Sequence, residues 1–238
     1  MVVLFNIIGV VMIYFSQKQV VLFDLDGTVI DSSEGIFNSI DYVFKELSID
    51  VQERSILQKF IGPSLASSFR KFCGMNDEQA NHAVKIYREY YKTKGILECS
   101  VYDGLENLLK LLKQQDKKIG LATKKPEPYA IEIMKTKNLL PYFDCICGSS
   151  LAETDDDKSH IILRCAQKLS NENLDSVVHI GDTYYDVIGA KHANVECIGV
   201  LYGFGTEQEL LDEGADAIAT DMNELTEILT SHPHTERT

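Results

Sequence analysis

The stretch Val20-Val21-Leu22-Phe23-Asp24-Leu25-Asp26-Gly27-Thr28 constrains the fold more than any other in the chain. Four consecutive apolar residues running into an acidic pair and a glycine predict a strand buried on both faces, the habit of a parallel sheet. Side chains alternate across a strand, so Asp24 and Asp26 leave on one face at its carboxyl end, where open α/β sheets bind their ligands. Two carboxylates this close repel each other, and a divalent cation or a shared proton is the usual relief. Gly27 permits a tight turn and offers its N–H to an anion. Taken alone, the same residues are also ordinary turn formers.

The rest of the chain supplies the context. From Val101 onward, strand and helix patterns alternate. A helix over Leu105 to Leu112 is followed by a strand over Lys118 to Thr123, and a helix over Pro128 to Lys137 by a strand over Phe143 to Gly148. A helix around Ile161 to Leu169 precedes a strand over Ser176 to Ile180, and a helix around Val187 to His192 precedes a strand over Cys197 to Val200. Strands separated by helical segments imply βαβ units and a parallel sheet. Residues 32–99, by contrast, read as helical and strand-poor, broken once at Gly62-Pro63. Ile36, Phe37, Ile40, Val43, Phe44 and Leu47 form one stripe, capped by Asp31 or Ser32, and Ala80, Ala83, Val84, Tyr87 and Tyr91 form another. The expected fold is α/β, with a Rossmann-like core made of residues 18–31 and 100–230 and a helical insertion over 32–99. Residues 231–238 are a polar tail.

Charge and cysteine usage exclude several functions. A net charge of −13 argues against nucleic acid or an anionic membrane as the main partner, because phosphate backbones are gripped by basic patches. An anionic small molecule would need a local basic pocket. The six cysteines have neither paired CxxC spacing nor a histidine at zinc-finger distance, and they read as reduced core thiols of a cytoplasmic protein. Residues 1–17 form an apolar extension, shorter than a spanning helix needs. It reads as an anchor, as an element packed on the core, or as an upstream run preceding a start at Met12. Membrane contact is expected only in the first case.

Three further polar stations follow predicted strands. Thr123-Lys124-Lys125-Pro126 offers a hydroxyl and two amines to an anionic oxygen. Lys158 opens a helix after an acidic run. Gly181-Asp182-Thr183-Tyr184-Tyr185-Asp186 puts two more carboxylates at the same rim, and that many acids beside Asp24 call for a hard cation such as Mg²⁺.

In this order Asp24-Leu25-Asp26-Gly27-Thr28, Thr123, Lys158 and Gly181-Asp182-x-x-x-Asp186 resemble the four motifs of the haloacid dehalogenase-like (HAD) hydrolases. The insertion after the first motif, with Ile61-Gly62-Pro63-Ser64-Leu65, Tyr102-Asp103-Gly104 and Gly203-Phe204-Gly205, is similar to the phosphoglycolate phosphatase and β-phosphoglucomutase group, in which a helical cap stands there. Lys124 and Ser159 depart from the residues common at those places. The resemblance implies that Asp24 is a nucleophile forming an aspartyl-phosphate, and that Asp26 is the acid and base. It implies that Thr123 holds a phosphoryl oxygen and that Lys158 neutralises charge. Mg²⁺ would be bound by Asp24, the Asp26 carbonyl and Asp182, with Asp186 in support. Gly27, Lys124, Lys125, Gly62 and Pro63 would contact a small phosphorylated metabolite. The activity so implied is a Mg²⁺-dependent phosphatase, monomeric or homodimeric, acting on a phosphoglycolate-, sugar-phosphate- or nucleotide-like ester. A phosphomutase of the β-phosphoglucomutase type and a regulatory binding module are the alternatives.

Overall fold

The computed structural model describes residues 14–50, 53–150, 157–170 and 173–231; most of the apolar extension, most of the acidic run and nearly all of the polar tail lie outside them. The chain divides into two compact units. One takes the chain up to Val29 and again from Val101, and the other comprises Ile30–Ser100.

Among the described residues there are eight strands, six of which form the one large sheet of the first unit. The strands are β1 (Val20–Phe23), β2 (Ile30–Asp31), β3 (Ser100–Val101), β4 (Lys118–Pro126), β5 (Cys145–Ser149), β6 (Val177–Gly181), β7 (Glu196–Val200) and β8 (Ala217–Ala219). The large sheet has the order β5-β4-β1-β6-β7-β8, and all its pairings are parallel. The short strands β2 and β3 pair separately. All four residues of β1 are buried, which explains why this strand is uniformly apolar instead of alternating.

Register is what gathers the polar stations. Phe23 pairs with Leu121 on one side and with Ile180 on the other. Asp24 therefore follows one residue beyond a common line, and Thr123 and Asp182 two residues beyond it. The chain builds outward from β1 in both directions, so the rim at the carboxyl end of β1 is the switch point where open sheets leave a crevice. The strand β4 continues to Pro126, so Lys124 and Lys125 extend the strand where the sequence suggests a turn.

The second unit carries the helices Ser33–Glu46, Leu65–Cys73 and Asp77–Tyr90. Both stripes read from the sequence are inside: Ile40, Val43 and Phe44 are fully buried, as are Ala80 and Ala83. Asn76 and Gln79 form a reciprocal capping box that starts the third of these helices. The first is capped by Asp31, whose Oδ1 accepts the Ser33 N–H at 2.9 Å, while the Ser32 hydroxyl makes no cap bond. Among the described residues no helix is long and apolar enough to cross a membrane.

Candidate active site

The site begins with Asp24. Its N–H donates to the Ile180 carbonyl at 2.9 Å, prolonging the ladder by one bond and fixing the backbone from which the carboxylate projects. That carboxylate is nearly buried, and Lys158 Nζ lies 2.6 Å from its Oδ1. Burial pushes the Asp24 pKa up to about 6; the Lys158 ammonium opposes the rise, and Asp186 and Asp26 add to it.

Lys158 is buried at the start of the helix Lys158–Ser170, and its ammonium also stands 2.9 Å from Asp186 Oδ1. Burial alone would discharge it, but the adjacent Asp186 and Asp24 outweigh burial and hold its pKa above the usual lysine value. The neighbouring helix Tyr184–His192 comes close enough to confine it because residue 189 is glycine: a Cβ there would lie 2.7 Å from Lys158 Cγ.

Asp182 is wholly buried. Its Oδ2 accepts the Phe204 N–H at 2.8 Å and its Oδ1 accepts the Thr28 hydroxyl at 3.3 Å. Burial, with Asp186 and Asp24 nearby, lifts its pKa well above the usual carboxylate range. Gly27 sits against this carboxylate with φ +83°, and any Cβ at that position would collide with Asp182 Oδ2. The glycine is thus required twice, for its backbone angle and for the room it leaves.

Asp186 differs from the other acids in having two partners on each oxygen. Oδ1 faces Lys158 and His179 Nε2, the latter at 3.0 Å, and Oδ2 accepts the Thr183 N–H at 3.1 Å and the Thr183 hydroxyl at 2.9 Å. Burial works against its charge, yet Lys158 and His179 prevail and hold its pKa low. His179 is a participant that the sequence reading missed. The only signal was a polar side chain inside the apolar run of β6, two residues before Gly181. Fully buried, it has its pKa lowered by desolvation against the opposing pull of Asp186, whose Oδ1 its Nε2 meets at 3.0 Å.

Asp26 faces another way. Both of its oxygens accept from Lys125 Nζ, at 2.8 and 2.9 Å, and its carboxylate is not among the clustered acids. Thr123, also buried, accepts the Lys125 N–H on its hydroxyl at 3.2 Å. The first unit thus holds Asp24, Asp26, Gly27, Thr123, Lys125, Lys158, Asp182 and Asp186 at one rim. Lys124 is turned to the Tyr185 ring, 5.7 Å from its centroid, and Gly62 and Pro63 belong to the second unit.

The donor set fits a hard cation. One oxygen from each of Asp24, Asp182 and Asp186 lies within 4.8 Å of the others, and the Lys158 ammonium pairs with two of these three buried acids, Asp24 and Asp186. Burial, with neighbouring carboxylates, raises the pKa of Asp24 and Asp182, so a cation placed between them would favour their charged forms, whereas Asp186 is already satisfied by protein donors. Oxygen ligands with room for water are the preference of Mg²⁺.

Comparison with known proteins agrees with this arrangement. Residues 21–200 match the family described as haloacid dehalogenase-like hydrolase. A 5'-nucleotidase of Pseudomonas aeruginosa is 36% identical over 214 residues, covering 89% of this chain and 96% of its own. The phosphoglycolate phosphatase of Pseudomonas fluorescens is 26% identical over 215 residues, covering 87% and 78%. The crystal structure of a predicted phosphatase from Clostridium acetobutylicum superposes with a TM-score of 0.81 at 43% identity, over 89% of this chain and 97% of that one. With the six-stranded parallel sheet, the acids at its rim and a family match across most of its length, the chain belongs to the haloacid dehalogenase-like hydrolases.

Proposed function

We infer that the protein is a Mg²⁺-dependent phosphatase of small phosphomonoesters that works through an aspartyl-phosphate on Asp24. The observation that carries this reading is the Lys158 ammonium set between Asp24 and Asp186 beside buried Asp182, with a second carboxylate, Asp26, two residues from the first. Phosphoryl transfer needs positioning and charge neutralisation more than covalent assistance, and this rim supplies both.

Asp24 attacks phosphorus as the carboxylate while the ester oxygen departs, taking its proton from Asp26. Asp26, now a carboxylate, accepts a proton from water. That water attacks the phosphorus of the acyl phosphate, releasing phosphate and restoring Asp24. Splitting one hard displacement into two easier ones is the gain of covalent catalysis. Thr123 donates its hydroxyl to a phosphoryl oxygen, and Lys158 offsets charge on nucleophile and phosphate. Lys125 Nζ pairs with both Asp26 oxygens in the substrate-free protein, and exchanging that contact for a phosphoryl oxygen would free Asp26 to carry the proton that it delivers to the leaving group. Asp24 and Asp182, with the Asp26 carbonyl, would hold Mg²⁺, which when bound supplies the positive charge that offsets the phosphoryl oxygens. Asp186 acts by orienting Lys158, since protein donors already occupy its oxygens.

The inserted unit would act as a cap that reads the substrate beyond its phosphate, with Gly62 and Pro63 contributing. The names of the 5'-nucleotidase and phosphoglycolate phosphatase relatives support trying 5'-nucleotides and phosphoglycolate among the candidate substrates. Cysteines without disulfides suit a cytoplasmic location.

Phosphate release from a panel of such esters tests this reading. Turnover is expected with Mg²⁺, and is expected to vanish with chelator and to fall on the order of 10³-fold or more in Asp24→Asn. Turnover that survives in the variant would remove Asp24 from the mechanism.

A further inference from the structure

Away from the acids, three cysteines that the sequence scatters converge in the fold. Cys145 and Cys147 occupy alternate positions of β5, so their side chains leave the same face of this edge strand, and their sulfurs lie 3.6 Å apart. Cys165 reaches them from the helix Lys158–Ser170, and all three sulfurs lie within 4.8 Å of one another. Cys147 and Cys165 are fully buried, and Cys145 is half-buried at the approach from solvent.

The surroundings make room for these sulfurs and balance their charge. Residue 120 on the adjacent β4 is glycine, and a Cβ there would lie 2.7 Å from Cys165 Sγ, so the missing side chain is what admits the sulfur. Lys168 Nζ stands 3.7 Å from Cys147 Sγ. The Cys165 thiol donates to the Leu121 carbonyl at 3.5 Å while its sulfur stays within 4.8 Å of its two neighbours.

We propose that Cys145, Cys147 and Cys165 form a binding site for a soft d¹⁰ cation, of the Zn²⁺ or Cu⁺ class, independent of the carboxylate site. Soft thiolates select such ions over Mg²⁺. Two sulfurs bound to one tetrahedral zinc at about 2.3 Å are about 3.8 Å apart, close to the spacing already present. A disulfide would need the sulfurs to approach to about 2.05 Å, a larger rearrangement of two residues on one extended strand. On binding, each thiol releases its proton to solvent and donates a sulfur electron pair to the ion. Cys165 gives up its bond to the Leu121 carbonyl, and a solvent molecule completes the fourth position. Three thiolates around a divalent ion leave one negative charge, which Lys168 faces. The ion would tie the edge strand to the helix that carries Lys158 at its first position.

The test is titration of the reduced, full-length protein with Cd²⁺ in excess Mg²⁺, because a sulfur-to-metal charge-transfer band in the ultraviolet reports thiolates and is silent for carboxylates. The band is expected to saturate at one ion per chain, to be competed away by Zn²⁺, to persist in Cys73→Ser/Cys99→Ser and to be lost in Cys145→Ser/Cys147→Ser. No band, or a band that survives in Cys145→Ser/Cys147→Ser, overturns the site. Should that variant fail to fold, alkylation of the wild type decides: Zn²⁺ should protect Cys145, Cys147 and Cys165 while Cys73 and Cys99 remain reactive. Equal labelling with and without Zn²⁺ would refute the proposal.

Discussion

Asp182 shows the tension between stability and chemistry that runs through this rim. An acid whose folded pKa is raised above its unfolded value destabilises the fold at every pH above the unfolded value, and the cost at neutrality grows with the shift. Asp182→Asn keeps the shape and one acceptor without the buried charge, so the metal-free protein should gain stability and melt at a higher temperature. The same variant should lose the thermal stabilisation that Mg²⁺ gives the wild type; a lower metal-free melting temperature would contradict this account. Asp24, raised to about 6, has the same sign. As pH falls through 6 the folded state takes up the proton first, and the penalty shrinks until the unfolded carboxyl is also protonated near about pH 4. Asp24→Asn should therefore melt above the metal-free wild type at neutral pH, and the gap should close toward pH 4 on the same measurement. Asp24 and the pair after β6 were legible because strand ends and Gly exits are local signals, whereas the shared face expected for Asp26 was not found, since β1 stops at Phe23 and its alternation does not run on to residue 26. His179 was not, since only the tertiary partner Asp186 distinguishes it from a core residue.

Elements position what residues supply. Lys158 works only because two helices approach closely over Gly189, a contact between segments distant in sequence that no local pattern announces. Gly189→Ala should cost about 1–3 kcal/mol through overpacking. Displacing the ammonium should also lower kcat/KM on the order of 10²-fold. Denaturant unfolding and steady-state kinetics read the two effects separately, and unchanged kinetics would free Lys158 from the role given to it. The alternation of strands and helices after Val101 was readable, with ends shifted by a few residues. The strand β8 and the helices Glu207–Glu213 and Met222–Thr230 were not assigned from the sequence; the first two are short and bury little, whereas Met222, Leu225, Ile228 and Leu229 do form a helical stripe behind the Asp221 cap. The thiol cluster escaped for a related reason: its spacing is set by β5 facing a helix, and ligand motifs in sequence report only local loops.

At the scale of the molecule, a chain of net charge −13 keeps the lysines Lys125 and Lys158 at one rim, an arrangement suited to a small anion and ill suited to a polyanion. The central claim is the division of labour between Asp24 and Asp26, and the most direct test is a pre-steady-state assay of Asp26→Asn with p-nitrophenyl phosphate and Mg²⁺. Nitrophenolate leaves without a proton, so the first step needs no acid, whereas the second has lost its base. The account predicts a burst of one nitrophenolate per active site, followed by stalled turnover, with the phosphate recovered on Asp24 after acid quench. Steady turnover at the wild-type rate, or phosphate recovered on any other residue, would contradict it.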